Sequence, residues 1–279
     1  MPSVLLVGCG DIALRLSRLL AGRFVLTGLR RQPLTLPKTI APLAVDVTNG
    51  ESVAAALRGR RFDYAVITLT PGALNEQRYR AVYVDGTARI LAALQPNTRV
   101  LFVSSTSVYG DSVGEWVDEQ TPAQTSAFSG RVLREAEQRV AESGLPFTCI
   151  RCSGIYGPGR VRLLQQVRSG AVDVAKASQF TNRIHADDVA RVLEFLMTRW
   201  EQGVPPDHCY VASDTCPVLA GVVWRELATQ MGVPLILPAG WEQRASTGKR
   251  CSSARLQQQG FRWQYPDFAA GYAALLAAE

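Results

Sequence analysis

The chain has 279 residues, 47% of them apolar and 19% charged, with a net charge of +6. That composition excludes intrinsic disorder, collagen-like repeats and small disulfide scaffolds, and it can furnish one large core or two modest ones. Apolar runs such as Val4–Val7 and Ile90–Leu94 fall far short of the ~20 residues of a membrane helix. Met1-Pro2-Ser3 leads directly into a strand-like run, so neither a signal peptide nor a membrane span is expected. Lys and Arg are scattered among acids without a basic block, which argues against a nucleic-acid partner. Six cysteines without a pairing scheme point to reduced thiols and a cytoplasmic location.

In chain order, strand-like runs occur at Val4–Val7, Phe24–Leu29, Leu43–Asp46, Tyr64–Thr68, Val100–Ser104 and Phe147–Cys152. Between them, Ile12–Leu20, Glu51–Leu57, Glu76–Leu94 and Ser129–Ser143 carry apolar residues at helical spacing, for example Ile12, Leu16, Leu19 and Leu20. Such alternation predicts an α/β fold with a doubly wound parallel sheet. Past Cys152 the pattern loosens into a loop with Gly154, Gly157, Pro158 and Gly159, then a helix near Arg160–Ser169. A helix over Val189–Thr198 follows, with Asp188 as its expected N-cap. A short strand at Cys209–Val211, a helix after Pro217 and helical pieces at Ser253–Gln259 and Phe268–Ala278 complete the chain. The expected division is a core of residues 1–152, with 184–200 returning to it, and a smaller lobe of residues 153–183 and 201–279. No internal repeat is visible.

Val4–Val7 runs into Gly8-Cys9-Gly10-Asp11-Ile12-Ala13 and then a helix, the context that a G-x-G-x-x-G/A turn requires. Gly8 permits the tight turn, Gly10 admits a pyrophosphate to the backbone, and Ala13 allows close helix packing. The helix N-terminus offers unpaired N–H groups, from Ile12 among others, while the Asp11 carboxylate is expected to turn away from a phosphate. An NAD site usually carries an acid about 20 residues beyond the turn, whereas an NADP site uses Arg on the 2′-phosphate. Here no acid lies between Asp11 and Asp46, and the second strand ends in Arg30-Arg31, which favours NADP. The alternative is a solvated pair at a strand end. Asp46-Val47 is expected at the adenine edge, with Thr68-Leu69-Thr70 lining the ribose and pyrophosphate.

Several segments then become familiar. The glycine turn, Val103-Ser104-Ser105-Thr106-Ser107-Val108-Tyr109-Gly110-Asp111, Arg151-Cys152-Ser153-Gly154-Ile155-Tyr156-Gly157-Pro158-Gly159-Arg160 and Asn182-Arg183-Ile184-His185-Ala186-Asp187-Asp188-Val189-Ala190 together resemble the extended short-chain dehydrogenase/reductases. Lys249-Arg250, Arg255-Leu256, Gly260-Phe261 and Tyr265-Pro266 resemble that group's closing segment. The resemblance implies a Rossmann-type sheet, a small C-terminal substrate lobe and oxidoreductase or epimerase-type chemistry on a small polar or sugar-derived molecule. It gives Ser105 the role of polarising a substrate oxygen, with Ser104 beside the cofactor. The family's Tyr-x-x-x-Lys pair falls, in the register set by Gly130-Arg131 and Glu135–Gln138, on Ser129 and Leu133. Serine has no accessible phenolate-like state, and leucine brings no charge to lower a neighbour's pKa. The Ser-Gly-Arg-Val-Leu run resembles an atypical bacterial subgroup of epimerase/dehydratase-like proteins. A non-catalytic dinucleotide sensor or scaffold is the competing expectation.

Other residues are read as structural. Tyr109 and Tyr156 belong to turn motifs, Tyr83 lies on the helix before the fifth strand, and His185 braces the loop ahead of Asp188. Cys149 and Cys152 form a C-x-x-C, but residues three apart on a strand point to opposite faces. No metal is expected, and the oligomeric state is left open.

Overall fold

The computed structural model describes residues 1–32, 36–110 and 112–278. In chain order the first elements are β1 (Ser3–Val7), α1 (Asp11–Leu20), β2 (Val25–Arg30), β3 (Ile40–Ala44), α2 (Gly50–Leu57) and β4 (Tyr64–Ile67). Next come α3 (Glu76–Tyr79), a π-helical turn (Arg80–Gly86), α4 (Thr87–Ala93), β5 (Arg99–Ser105), β6 (Val113–Val117), α5 (Phe128–Ala141) and β7 (Phe147–Cys152). The remainder contains β8 (Gly154–Tyr156), α6 (Arg162–Arg168), β9 (Phe180–Thr181), β10 (Arg183–His185), α7 (Ala186–Glu201) and β11 (Cys209–Ala212). It ends with β12 (Val218–Leu219), α8 (Ala220–Met231), β13 (Gly248–Cys251), α9 (Ala254–Gln258) and α10 (Phe268–Leu276). Among the described residues no helix is long and apolar enough to cross a membrane.

The chain divides into two compact units. The first, Met1–Val108, Ala123–Arg151 and Ala190–Tyr210, is built on a seven-stranded sheet in the order β11-β7-β5-β4-β1-β2-β3. β1 pairs in parallel with both β2 and β4, while β2–β3 and β4–β5 are also parallel. The central strands are uninterrupted apolar runs because both their faces are covered: Val4–Val7 and Tyr64–Ile67 are fully buried. From β1 the chain winds outward through β2 and β3, then crosses back to β4 on the other side. The strand order therefore switches between β1 and β4, and ligands of open α/β sheets bind outside the carboxyl ends at such a point.

Three local expectations need correction. The third strand runs from Ile40 rather than Leu43, and it carries Pro42 because it lies at the sheet edge, where a missing N–H costs no ladder bond. In α1 the buried arc is Ile12, Ala13, Leu16, Ser17 and Leu20, whereas Leu19 is 41% exposed. The helix expected over Glu76–Leu94 is interrupted by the π-turn. Gly86 closes that turn against the sheet: a Cβ there would stand 2.9 Å from Val47 Cγ2.

The second unit comprises Tyr109–Pro122, Cys152–Val189 and Val211–Glu279. Three two-stranded ribbons, β8–β10 (parallel), β9–β12 (antiparallel) and β6–β13 (parallel), frame it. Its core gathers Leu164, Val167, Val223, Trp224, Leu227, Trp241, Phe268 and Tyr272.

Candidate functional site

The site begins where β1 runs out of ladder. Gly8 and Cys9 donate backbone hydrogen bonds to Leu29 O at 3.0 and 3.1 Å, which ties the turn to β2. Gly8 has φ +77°, and a Cβ there would stand 3.0–3.1 Å from Thr68 O and the Leu69 backbone, so only glycine fits. Thr68 Oγ1 donates to Gly8 O at 3.0 Å and fixes the turn from the β4 side. At Gly10, among the described residues, the only atom near a built Cβ is Gly8 O at 3.7 Å, which leaves open space over the backbone. Among the described residues no side chain caps α1, so the N–H groups of its first turn keep their capacity for an anion. Asp11 pairs with Arg15 at 2.8 Å along the helix. Ile12 and Ala13 bury their side chains, so only their backbone faces the turn.

A groove of about 410 Å³ opens beside this turn. Of the residues singled out in the sequence, Gly8, Gly10, Arg30, Arg31, Asp46, Val47, Leu69 and Thr70 line it together. Arg30 Nη1 donates to Cys9 O at 3.3 Å, folding the side chain across the turn. Asp46 Oδ1 accepts from Thr48 N and Oγ1 at 2.9 and 2.8 Å. Burial acts to raise the Asp46 pKa, but the Thr48 hydrogen bonds and the charges of Arg78 and Arg31 outweigh it, and the carboxyl is held below its usual range. The Cys9 thiol is pushed up to about 11 by burial, against the charge of Arg30, and is no nucleophile near neutral pH.

Arg78 and Val82 also line the groove and escaped the sequence reading. Arg78 lies on a four-residue turn, and only the placement of that turn beside the groove reveals it.

The end of β5 is arranged differently. Ser104, expected beside the cofactor, is buried and donates to Glu137 Oε1 at 2.7 Å. Glu137 in turn holds Arg151 through contacts of 3.0 and 2.7 Å. Ser104 is thus committed to a buried ionic network and is absent from the groove lining. Ser105 is half-buried, and its Oγ accepts from Ser107 N at 3.1 Å, which leaves the hydroxyl proton free to be donated. α5 crosses close by: a Cβ on Gly130 would lie 2.1 Å from Ser107 O. Ser129 and Leu133 stand one turn apart on α5, Ser129 half-buried and Leu133 5% exposed. Tyr79 meets Tyr83 and Phe128 edge-on, each at 5.4 Å, and burial raises the Tyr83 hydroxyl to about 12.

In the second unit the tyrosines of the two turn motifs are held by a hydrogen bond and by ring contacts. Tyr109 Oη donates to Asp118 O at 2.5 Å. Tyr156 stacks on Tyr272 at 4.5 Å, meets the His185 ring edge-on, and has its pKa pushed far up, first by burial. The expected cap is corrected: α7 begins at Ala186, and His185 Nδ1 accepts the Asp187 N–H at 3.2 Å. Asp188 lies inside the helix and accepts from Gln264 N and Tyr265 N, both at 2.9 Å, tying the closing segment down. Asp214, 1% exposed, is raised to about 7 by burial, against the Cys216 N–H and the charge of Arg183. Asp111 lies outside the described residues.

Cys149 and Cys152 are buried on β7, and burial raises both thiols, Cys152 to about 12. Among the described residues no group of three or more His, Cys, Asp or Glu could hold a metal ion.

Comparison with known proteins agrees with this fold. A solved Methylobacillus flagellatus protein, provisionally described as an NAD-dependent epimerase/dehydratase, is 36% identical with a TM-score of 0.85, over 99% of this chain and 98% of that one. Protein YeeZ of Escherichia coli K12 is 30% identical over 174 residues, which are 61% of this chain and 59% of YeeZ. The Thermus thermophilus UDP-glucose 4-epimerase in complex with NAD shares the fold, with a TM-score of 0.77 and 17% identity over 97% of this chain and 96% of that one. The model of the NAD dependent epimerase/dehydratase family matches residues 16–212, more than half of the chain, and the chain belongs to that family.

Proposed function

We propose that this protein binds NADP in the groove beside Gly8–Gly10 and acts as an oxidoreductase or epimerase of the extended short-chain dehydrogenase/reductase type. The observation that carries the cofactor choice is the pair Arg30-Arg31, which lines the groove at the end of β2 with no acid between Asp11 and Asp46. The open backbone at Gly10 and the first turn of α1 would hold the pyrophosphate, Arg30 and Arg31 the 2′-phosphate, and Asp46 the adenine edge. When bound, such a dinucleotide supplies reversible two-electron transfer at its nicotinamide ring. Ser105 keeps a donatable proton at the end of β5 and would orient a substrate oxygen. A small polar or sugar-derived substrate fits the family, and the Thermus neighbour is named for a nucleotide sugar. The buried thiols of Cys149 and Cys152 support a cytoplasmic location.

Arg30→Ala and Arg31→Ala test the cofactor choice. Charge-assisted contacts to a phosphate contribute about 1.5–3 kcal/mol, so either variant should remove much of the preference for NADPH over NADH in a calorimetric titration. An unchanged preference in both variants would remove these arginines from the site.

A second reading is supported by α5. Leu133 is buried where the family carries Lys, and Ser129 cannot supply a tuned acid. Catalysis on this scaffold is slow by the family's standard, and in the limiting case the chain is a dinucleotide sensor that retains the groove without the chemistry.

A further inference from the structure

Arg78 stands on α3, a single four-residue turn whose N-cap is Asn75. Two contacts aim it. Asn75 Oδ1 accepts its backbone N–H at 2.8 Å, and its own Nε donates to Pro71 O at 3.0 Å. Its Nη nitrogens make no hydrogen bond among the described residues, although the side chain lines the groove. α3 follows β4, while Asp46 follows β3, and β1 and β2 lie between those strands in the sheet. The Arg78 charge nevertheless acts on Asp46, together with that of Arg31. Arg78 and Asp46 thus line the same groove from elements that lie on either side of β1 and β2.

The chemistry of that end of the groove selects its occupant. Asp46 Oδ1 is engaged by Thr48, which leaves Oδ2 to accept from a ligand donor. A phosphate placed there would meet an ionised carboxylate and be repelled. A flat ring with an exocyclic amine satisfies both partners, since the amine donates to Asp46 and the ring face receives a planar cation. We infer that Arg78 is a cofactor-binding residue that closes over the adenine ring of the dinucleotide, an inference that rests on the dinucleotide reading above. Its role is separate from that of Arg30 and Arg31, because adenine is common to NADP and NAD whereas the 2′-phosphate is not.

Calorimetric titration of wild type, Arg78→Ala and Arg78→Lys with NADPH and with NADH tests this, with far-UV circular dichroism and Tm confirming the fold of each variant. Arg78→Ala should weaken both ligands by the same factor, about tenfold, the scale of a desolvated cation–π contact. Arg78→Lys should not restore the loss, since an ammonium lacks the planar face. Three results would overturn the inference: unchanged affinity for both ligands, a loss confined to NADPH, or full recovery with lysine, the last two marking a phosphate contact. Should Arg78→Ala fail to fold, Arg78→Gln is read in its place by the same criteria. A wild-type protein that binds neither ligand would overturn the dinucleotide reading itself and this inference with it. Wild-type binding with indifferent variants would overturn this inference alone.

Discussion

The glycine turn and helix α5 belong to the same unit, yet they meet the family's demands in opposite ways. At the turn everything depends on backbone: a positive φ at Gly8, open space over Gly10 and an uncapped helix start. At α5 the proposed chemistry turns on two side chains, Ser129 and Leu133, which fall at the family's Tyr and Lys in the register set by Gly130-Arg131. Leu133 and Glu137, one turn apart, are both buried, the latter organising Ser104 and Arg151. In that proposed register α5 serves packing at the two positions that would otherwise carry proton transfer. A fold can keep a ligand groove through geometry alone while the side chains that do chemistry change, because the two depend on different atoms.

The comparison can be sharpened by restoring the missing pair. General acid–base catalysis contributes about 10²–10⁴-fold, so Ser129→Tyr with Leu133→Lys should raise NADPH-dependent turnover on carbonyl or nucleotide-sugar substrates toward that range. Ser105→Ala should lower whatever turnover exists. A screen with no Ser105-dependent activity in either form, at normal cofactor affinity, would favour the sensor reading.

The structural role of α5 can be broken from the other side. Glu137→Ala leaves the Arg151 guanidinium buried without its carboxylate and should cost about 3–5 kcal/mol in denaturant unfolding. A loss below ~1 kcal/mol would mean that the network contributes little. At the turn, Gly10→Val should leave the melting temperature nearly unchanged while binding falls by two orders of magnitude or so, because the side chain enters only the open space a pyrophosphate would need. Gly8→Val should lower both, since its side chain meets the Thr68 and Leu69 backbone and its φ is positive. If the two variants behave alike, the turn does not divide its labour in this way.

A pH-dependent effect concerns the second unit. Asp214 has its folded-state pKa raised to about 7, so between the ordinary carboxylate range and neutrality the folded chain holds a proton that the unfolded chain has lost. Its contribution to stability is thus highest in acid and declines as pH rises toward 7, by at most about 1.4 kcal/mol per pH unit. Asp214→Asn should flatten that part of the profile in urea titrations between pH 4 and 8, and an identical slope in the variant would refute the assignment.

How much of this could be read from sequence depends on the kind of signal. Buried parallel strands such as Val4–Val7 and Tyr64–Ile67 are continuous apolar runs, and the glycine turn follows from spacing and context. The ribbons of the second unit are only two to five residues long, too short for a period of two to register. Pro42 hid the start of β3, since proline argues against a strand unless its edge position is known. The separate environments of Ser104 and Ser105 were not read from the sequence, which placed both at the site, although neighbours on a strand face opposite sides. Arg78 was not legible either, as its place in the groove depends on where a short helix lies relative to β3.

The central claim, a groove built for NADP on a scaffold that lacks the usual proton-transfer pair, is tested most directly by titrating the wild-type protein with NADPH and NADH at one fixed salt concentration. Tighter binding of NADPH, by about tenfold or more, is the predicted result. Equal affinities, or a preference for NADH, would contradict it.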